Sequence, residues 1–338
     1  MKKLSALVLA LAMAISLTAC GDGGKGNTSG SNPGGSNPVS SNPGEFKPSN
    51  KTVTLIVPYA AGGAVDLGAR LMAKYAANYT DIDIVINNVT GGSGTVGAAE
   101  MLKYNADGTY MLAYNPSPSN VPTADKPLTY DCTTDMAMVS MMVRDERLIT
   151  VRADDSRFQT LEEFIEYTKS NPVNLGCSGT GNAAYFTPLM LAEAAGITDN
   201  MTVVAFDGSA EAKTALLGSH IEAASQSYSD IAAAPEQFTV LCTAGSERFS
   251  KLPDVPTMQE CGYDVEMYVS RGFAMKAGTD PQIVQYWSDI IGKVCADPGF
   301  LEEAENMGLP IHYLNCQDFE VSNKEEMATY TELVNSGI

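Results

Sequence analysis

Val53-Thr54-Leu55-Ile56-Val57-Pro58-Tyr59-Ala60-Ala61-Gly62-Gly63-Ala64-Val65-Asp66 decides the fold. Its first five residues form a β-branched, apolar run stopped by proline, the composition of a short buried strand. Beyond the two glycines, Leu67, Leu71 and Tyr75 recur at helical spacing, so a helix is expected over Val65–Asn78. A strand feeding a helix through a glycine turn opens an α/β unit. The same alternation continues with a strand at Ile82–Ile86 and a helix at Val96–Tyr104. A third strand, Thr109–Tyr114, follows the turn pair Asp107-Gly108. This order implies a parallel sheet with helices on its faces.

Met136–Val143 and Arg147–Val151 read as two extended segments leading into a second such unit. That unit takes in helix Leu161–Lys169, strand Val173–Cys177, helix Ala183–Ala195, strand Thr202–Ala205 and helix Ser209–Leu217. It closes with strands Ile221–Ala224 and Thr239–Thr243. Past Val265–Lys276 the pattern is helical to the end, over Asp280–Val294, Pro298–Met307 and about Cys316–Val334. A helical tail after two sheet units returns to pack on the first, and two strand connections between units make a hinge. The expected architecture is α/β and two-lobed, with residues 51–145 and 267–338 in lobe one and 146–266 in lobe two.

The first fifty residues belong to neither lobe. Lys2 and Lys3 precede an apolar run, Leu4–Leu17, too short to span a bilayer and better suited to export. Leu17-Thr18-Ala19-Cys20 resembles the lipobox of bacterial lipoproteins. The resemblance implies a signal peptide over 1–19, cleavage before Cys20 and lipidation of its sulfur, with the membrane reached through that anchor alone. Of residues 21–50, twenty-three are Gly, Ser, Asn or Pro, including Ser-Asn-Pro triplets at Ser31, Ser36 and Ser41. Such a segment lacks the apolar side chains that offset ordering entropy and serves as a flexible tether, roughly 30 Å long on average.

Charge and cysteines narrow the function. The net charge of −19 becomes −21 once Lys2 and Lys3 leave with the signal, which argues against nucleic acid as a partner. Besides Cys20 there are six cysteines, at 132, 177, 242, 261, 295 and 316, none in a Cys-x-x-Cys pair. An exported chain with an even six permits disulfides, and isolated cysteines in apolar surroundings equally suit buried thiols. His220 and His312 stand outside any ligand-like cluster, so no metal is expected. No cofactor is expected either.

In open parallel sheets, ligands bind beyond the carboxyl ends of the strands. Tyr59, Ala60, Ala61, Gly62 and Gly63 occupy that position after the first strand. Paired glycines let backbone approach a ligand, and helix-start amides favour an anion. An acidic chain can therefore hold an acid through uncharged donors, because long-range repulsion is screened within about 10 Å. The competing reading is a glycine turn that permits tight strand–helix packing. With Gly63 as N-cap, Asp66 is the third helical residue, placed to reach back to a backbone N–H and order the loop.

Ser178, Gly179, Thr180, Gly181 and Asn182 form the counterpart in the second unit, and Ser225-Gln226-Ser227 ends another strand on the same expected edge. Gly176-Cys177-Ser178-Gly179 does not match the Gly-x-Ser-x-Gly elbow of hydrolases. Gly92-Ser93-Gly94-Thr95-Val96-Gly97 fits Gly-x-Gly-x-x-Gly, which opens a dinucleotide-binding alternative. The strand end that should carry the ribose-binding acid reads Asn115-Pro116-Ser117 instead.

Taken together, several of these residues resemble the substrate-binding subunits of tripartite tricarboxylate transporters, the Bug family. They are Val57-Pro58-Tyr59-Ala60-Ala61-Gly62-Gly63 with Asp66, Gly91 to Gly97, Asp107-Gly108, Gly179-Thr180-Gly181-Asn182, Ala215-Leu216-Leu217-Gly218, and Pro253-Asp254-Val255-Pro256-Thr257 with Glu260 and Gly262. The resemblance implies a two-lobed periplasmic-binding-protein fold and a monomeric, non-catalytic receptor. It would hold a small carboxylate and deliver it to integral-membrane permease subunits. It also implies that the Tyr59–Gly63 backbone takes the carboxylate, aided by waters, with Thr180 and Asn182 completing the site. Asp207 stands where relatives commonly carry a basic residue, and Gln226 where they often carry Asp. The runners-up are a ligand sensor for a membrane receptor and an exported enzyme using the same cleft.

Overall fold

Alternation along the first strand sorts the first lobe into two faces. In a computed structural model, which describes residues 47–336, β1 (Thr52–Val57) turns Val53, Leu55 and Val57 to one side and Ile56 to the other. The signal peptide, Cys20 and nearly all of the tether lie outside the described residues. α1 (Ala64–Ala76) packs on the first side through Ala69, Leu71, Met72 and Ala76. β2 (Asp83–Asn88), α2 (Thr95–Met101) and β3 (Tyr110–Tyr114) follow. β1 lies parallel between β2 and β3, with Thr54 opposite both Val85 and Tyr110. α2 covers the second side, where Ala98 and Met101 join Ile56 and Leu112.

β4 (Met136–Arg152) is a single strand of 17 residues where two segments were expected. Arg144-Asp145-Glu146-Arg147 looks like a polar interruption, yet the strand runs through it: Asp145 meets Arg271, Tyr228 and Ser229, Arg147 meets Ser225 and Ser227, and Arg144 lies over the Tyr268 ring. The second lobe follows with α3 (Leu161–Thr168), β5 (Val173–Ser178), α4 (Ala183–Ala195), β6 (Met201–Phe206), α5 (Ser209–Leu217), β7 (Ala223–Ser227), α6 (Tyr228–Ile231) and β8 (Phe238–Thr243). β5 pairs in parallel with β6 and β7, and β4 runs antiparallel to β7 and β8. β9 (Tyr268–Lys276) returns to the first lobe between β3 and β4, antiparallel to both. Two strands thus cross between the lobes.

The tail supplies α7 (Pro281–Cys295), α8 (Pro298–Asn306), β10 (Ile311–Leu314) and α9 (Cys316–Ser336). It is not helical throughout, since β10 adds a short antiparallel strand to β4. α7 buries Trp287, Ile290, Ile291 and Val294 with the α1 side of the sheet, and α9 buries Phe319, Met327 and Tyr330 with the α2 side. Each large apolar side chain so buried contributes roughly 1.5–3 kcal/mol. Tyr114 at the end of β3 donates to Asn323 Oδ1 of α9 at 2.9 Å, tying the tail to the strand ends. All six cysteines beyond Cys20 are free thiols, five of them buried.

Candidate functional site

The loop between β1 and α1 is built around a buried carboxylate. Gly63 is the N-cap of α1, and Gly62 has φ +82°, a conformation that side chains other than glycine's rarely adopt. Asp66 is 1% exposed. Its Oδ2 accepts from Gly62 N–H and Arg70 Nε, both at 2.9 Å, and its Oδ1 accepts from Asn88 Nδ2 at 2.9 Å. Asn88 also donates to Tyr59 O at 3.0 Å, so one network fixes both ends of the loop. Burial alone would raise the Asp66 pKa. The hydrogen bonds from Arg70, Gly62 and Asn88 outweigh it and hold the carboxyl below its ordinary value.

Two amides that look free in the sequence are already engaged: Gly62 N–H on Asp66, and Gly63 N–H on Ala60 O at 3.3 Å. The donors left to an anion are those of the first helical turn, which has no side-chain cap. Residues 60–63 are exposed. The neighbouring glycine run has a packing role. A Cβ on Gly97 would sit 2.7 Å from Pro58 Cβ and 2.8 Å from Val89 O, so α2 lies closer to the sheet than any other residue allows. Tyr59 lies against Gly94 and donates to Ser93 O at 3.3 Å. Burial pushes the Tyr59 hydroxyl up to about 12, moderated by the charge of Arg271.

In the second lobe, Asn182 is the N-cap of α4. Its side chain accepts from Tyr185 N–H at 3.2 Å and donates to Ser178 O at 2.6 Å, closing the Ser178–Asn182 loop. Thr180 at its tip is exposed, and Gly181 is partly buried. Ser225, Gln226 and Ser227 do not act together. Strand alternation sends Gln226 to the α5 face, where its Oε1 accepts from Thr150 Oγ1 at 2.7 Å, while Ser225 and Ser227 point the other way. Asp207 is exposed, and its backbone N–H donates to Glu211 at 3.1 Å.

Between the two loops, the crossover strands carry side chains that the sequence reading missed. Arg147 on β4 is 3% exposed and donates to Ser227 Oγ at 2.7 Å and Ser225 Oγ at 3.0 Å. Arg271 on β9 pairs with buried Asp145 at 2.9 Å. Asp145 also accepts from Tyr228 N–H and Ser229 Oγ of α6. The charge of Arg271 is felt by both Tyr59 and Arg147, and that of Arg147 by Cys177 near the end of β5. Arg271 is thus matched by Asp145, while Arg147 meets only hydroxyls among the described residues. Burial lowers the Arg147 pKa, opposed by the charges of Asp230 and Asp145. Among the described residues, no group of His, Cys, Asp and Glu is arranged to hold a metal ion.

Strand-end loops in two lobes, joined by two crossover strands, define a periplasmic-type solute-binding protein. A family profile described as the tripartite tricarboxylate transporter family receptor matches residues 69–336, and the chain belongs to that family. The UPF0065 protein in the gbd 5′ region of Cupriavidus necator is 28% identical over 277 residues, covering 80% of this chain and 82% of its own. BugT of Bordetella pertussis is 29% identical over 248 residues, covering 69% and 73%. A TctC solute-binding protein from Polaromonas, solved without ligand, superimposes with a TM-score of 0.72 at 25% identity, over 86% of this chain and all of that one.

Proposed function

We propose that the protein is an extracytoplasmic receptor that captures a small carboxylate and delivers it, unchanged, to an integral-membrane permease. Candidate solutes are di- and tricarboxylates, acidic amino acids and aromatic acids. The observation that carries this reading is the buried Arg147, bonded only to the Ser225 and Ser227 hydroxyls at the carboxyl end of β7 and lying on a crossover strand beside the Asp145-paired Arg271. It supports a way for a strongly acidic chain to hold an acid, since the favourable charge is local and buried away from the acidic exterior. The solute would contact the Tyr59–Gly63 loop and the first turn of α1 on one side. On the other it would contact Ser178, Thr180, Gly181, Asn182, Ser225 and Ser227. Gln226, turned to the opposite face, would influence the site only through Thr150. Asp66 would order the loop without touching solute.

The proposed division into lobes, at 145/146 and 266/267, is supported by the change of β4 partners. Glu146 pairs with Tyr268 of β9, and Arg147 pairs with Ser227 of β7. Anchoring through an acylated Cys20, with residues 21–50 as tether, completes the proposal. A thermal-shift screen of small acids on the protein tests it. A solute at a hundredfold excess over its dissociation constant adds roughly 2.7 kcal/mol of stability. Failure of every acid to raise the melting temperature, or recovery of a chemically altered acid, would count against the reading. Loss of uptake of the identified acid in a deletion strain tests delivery to a permease.

A further inference from the structure

The two arginines of the crossover strands differ in their partners. Arg271 is neutralised by Asp145, whose oxygens are also held by Tyr228 N–H and Ser229 Oγ. Arg147 is the more deeply buried of the two, Arg271 being only partly buried, yet among the described residues no carboxylate forms an ion pair with Arg147. Its hydrogen bonds go to two neutral hydroxyls, and its Nε has no partner. Asp230, whose charge acts on it most, is itself committed to capping α6, where its Oδ2 accepts from Ser227 N–H at 2.8 Å. A buried guanidinium with no carboxylate bonded to it destabilises the empty protein, because its desolvation is only partly offset by the unbonded charges of Asp230 and Asp145.

Strand alternation decides which way this charge faces. Arg147, Ile149 and Val151 share one side of β4, and Ser225 and Ser227 share the matching side of β7 at its carboxyl end. Cys177, which feels the charge of Arg147, is the last-but-one residue of β5 and donates from Sγ to Gly179 O at 3.3 Å, inside the Ser178–Asn182 loop. The unpaired cation is therefore at the edge where the second-lobe loop begins. Each serine hydroxyl that accepts from the guanidinium keeps its own proton to donate. Together they form a site for one carboxylate, with a charged fork and two O–H donors.

Resting on the carboxylate-receptor reading, we infer that Arg147 is the specificity-determining residue of the cleft, receiving one carboxylate of a dicarboxylate solute. The other carboxylate falls to the first-turn amides of α1. Those amides, on partly buried Ala64 and Val65, directly follow the exposed residues 60–63 and are within reach of water when the site is empty, whereas Arg147 is shut away from water. A solute lacking charge at the Arg147 end leaves the buried cation uncompensated and is rejected.

Calorimetric titration of the full protein with the dicarboxylates from malonate to adipate, each beside its monoamide, tests this. At least one dicarboxylate should bind, and its monoamide should bind about a hundredfold more weakly. Arg147→Met should bind the two alike and Arg147→Lys should retain part of the preference. Without ligand, Arg147→Met should melt at or above wild type, since an uncompensated buried charge has gone. Equal binding of diacid and monoamide by wild type, or an undiminished preference in Arg147→Met, overturns the inference while leaving the receptor reading in place. If monocarboxylic, dicarboxylic and amino acids all fail to bind folded wild type, the receptor reading falls and the inference with it.

Discussion

Replacing Asp66 by asparagine isolates what holds the first-lobe loop in shape. The carboxylate takes three hydrogen bonds at 2.9 Å, from Gly62 N–H, Arg70 Nε and Asn88 Nδ2. An asparagine amide has one acceptor end and one donor end. With its oxygen toward Gly62 and Arg70, its NH2 confronts the NH2 of Asn88. Asn88 cannot turn to oblige, because it already accepts from Arg70 Nη2 at 3.2 Å and donates to Tyr59 O. In the reverse orientation the clash moves to Gly62 and Arg70. Either way a buried donor goes unsatisfied and the ionic bond to Arg70 is lost, together about 2–3 kcal/mol. For a body of this size that is a fall in melting temperature of about 5 °C.

The pH dependence supplies a second check. The Asp66 pKa is lowered in the folded protein, so its stabilisation is complete above the unfolded carboxyl value, about 4, and disappears as pH falls through the folded value. Thermal unfolding of wild type and Asp66→Asn from pH 7 down to pH 3 should show a gap that is constant at first and closes in acid. Affinity for a bound acid should fall several-fold without reordering the preferred solutes. A variant that melts within roughly 1 °C of wild type at neutral pH, or one whose ligand ranking inverts, refutes the assignment of Asp66 to loop ordering.

Other perturbations have clear signs. Gly97→Ala forces a Cβ against Pro58 and the Val89 carbonyl and should cost about 1–3 kcal/mol, read from urea unfolding; a neutral effect would mean α2 can slide off the sheet. Glu326, buried in α9 beside the crossover strands, has its pKa pushed up to about 7 by burial, against hydrogen bonds from Ser270, Ser322 and Tyr330 and the charge of Arg144. The folded state therefore favours the protonated acid, so wild type loses stability as pH rises from about 4.5 to about 7. Glu326→Gln should remove that decline and gain on wild type by up to about 3 kcal/mol at pH 8; parallel unfolding curves from pH 5 to 8 would contradict it.

Local chemistry made much of the fold legible. α4 starts and stops at the residues expected because Asn182 caps its start and Gly196 its end, and α5 starts after Gly208, an N-cap that makes no side-chain bond. The continuity of β4 through the hinge was illegible for the opposite reason. Asp145 and Arg271 are partners 126 residues apart, so the charged run within β4 looked like a break. β10 escaped notice because its four residues acquire strand character only from β4 beside them. Within the candidate site, the parting of Gln226 from Ser225 and Ser227 follows from simple period-2 alternation. The loss of the Gly62 amide to Asp66 depends on that carboxylate being buried, which no local pattern reveals.

The most direct test of the whole account is a crystal structure of the protein with its tightest-binding dicarboxylate. One carboxylate should lie within hydrogen-bonding distance of the Arg147 guanidinium and the Ser225 and Ser227 hydroxyls, and the other should meet the first-turn amides of α1. A solute seated away from the crossover strands, with Arg147 still bonded only to serines, would contradict it.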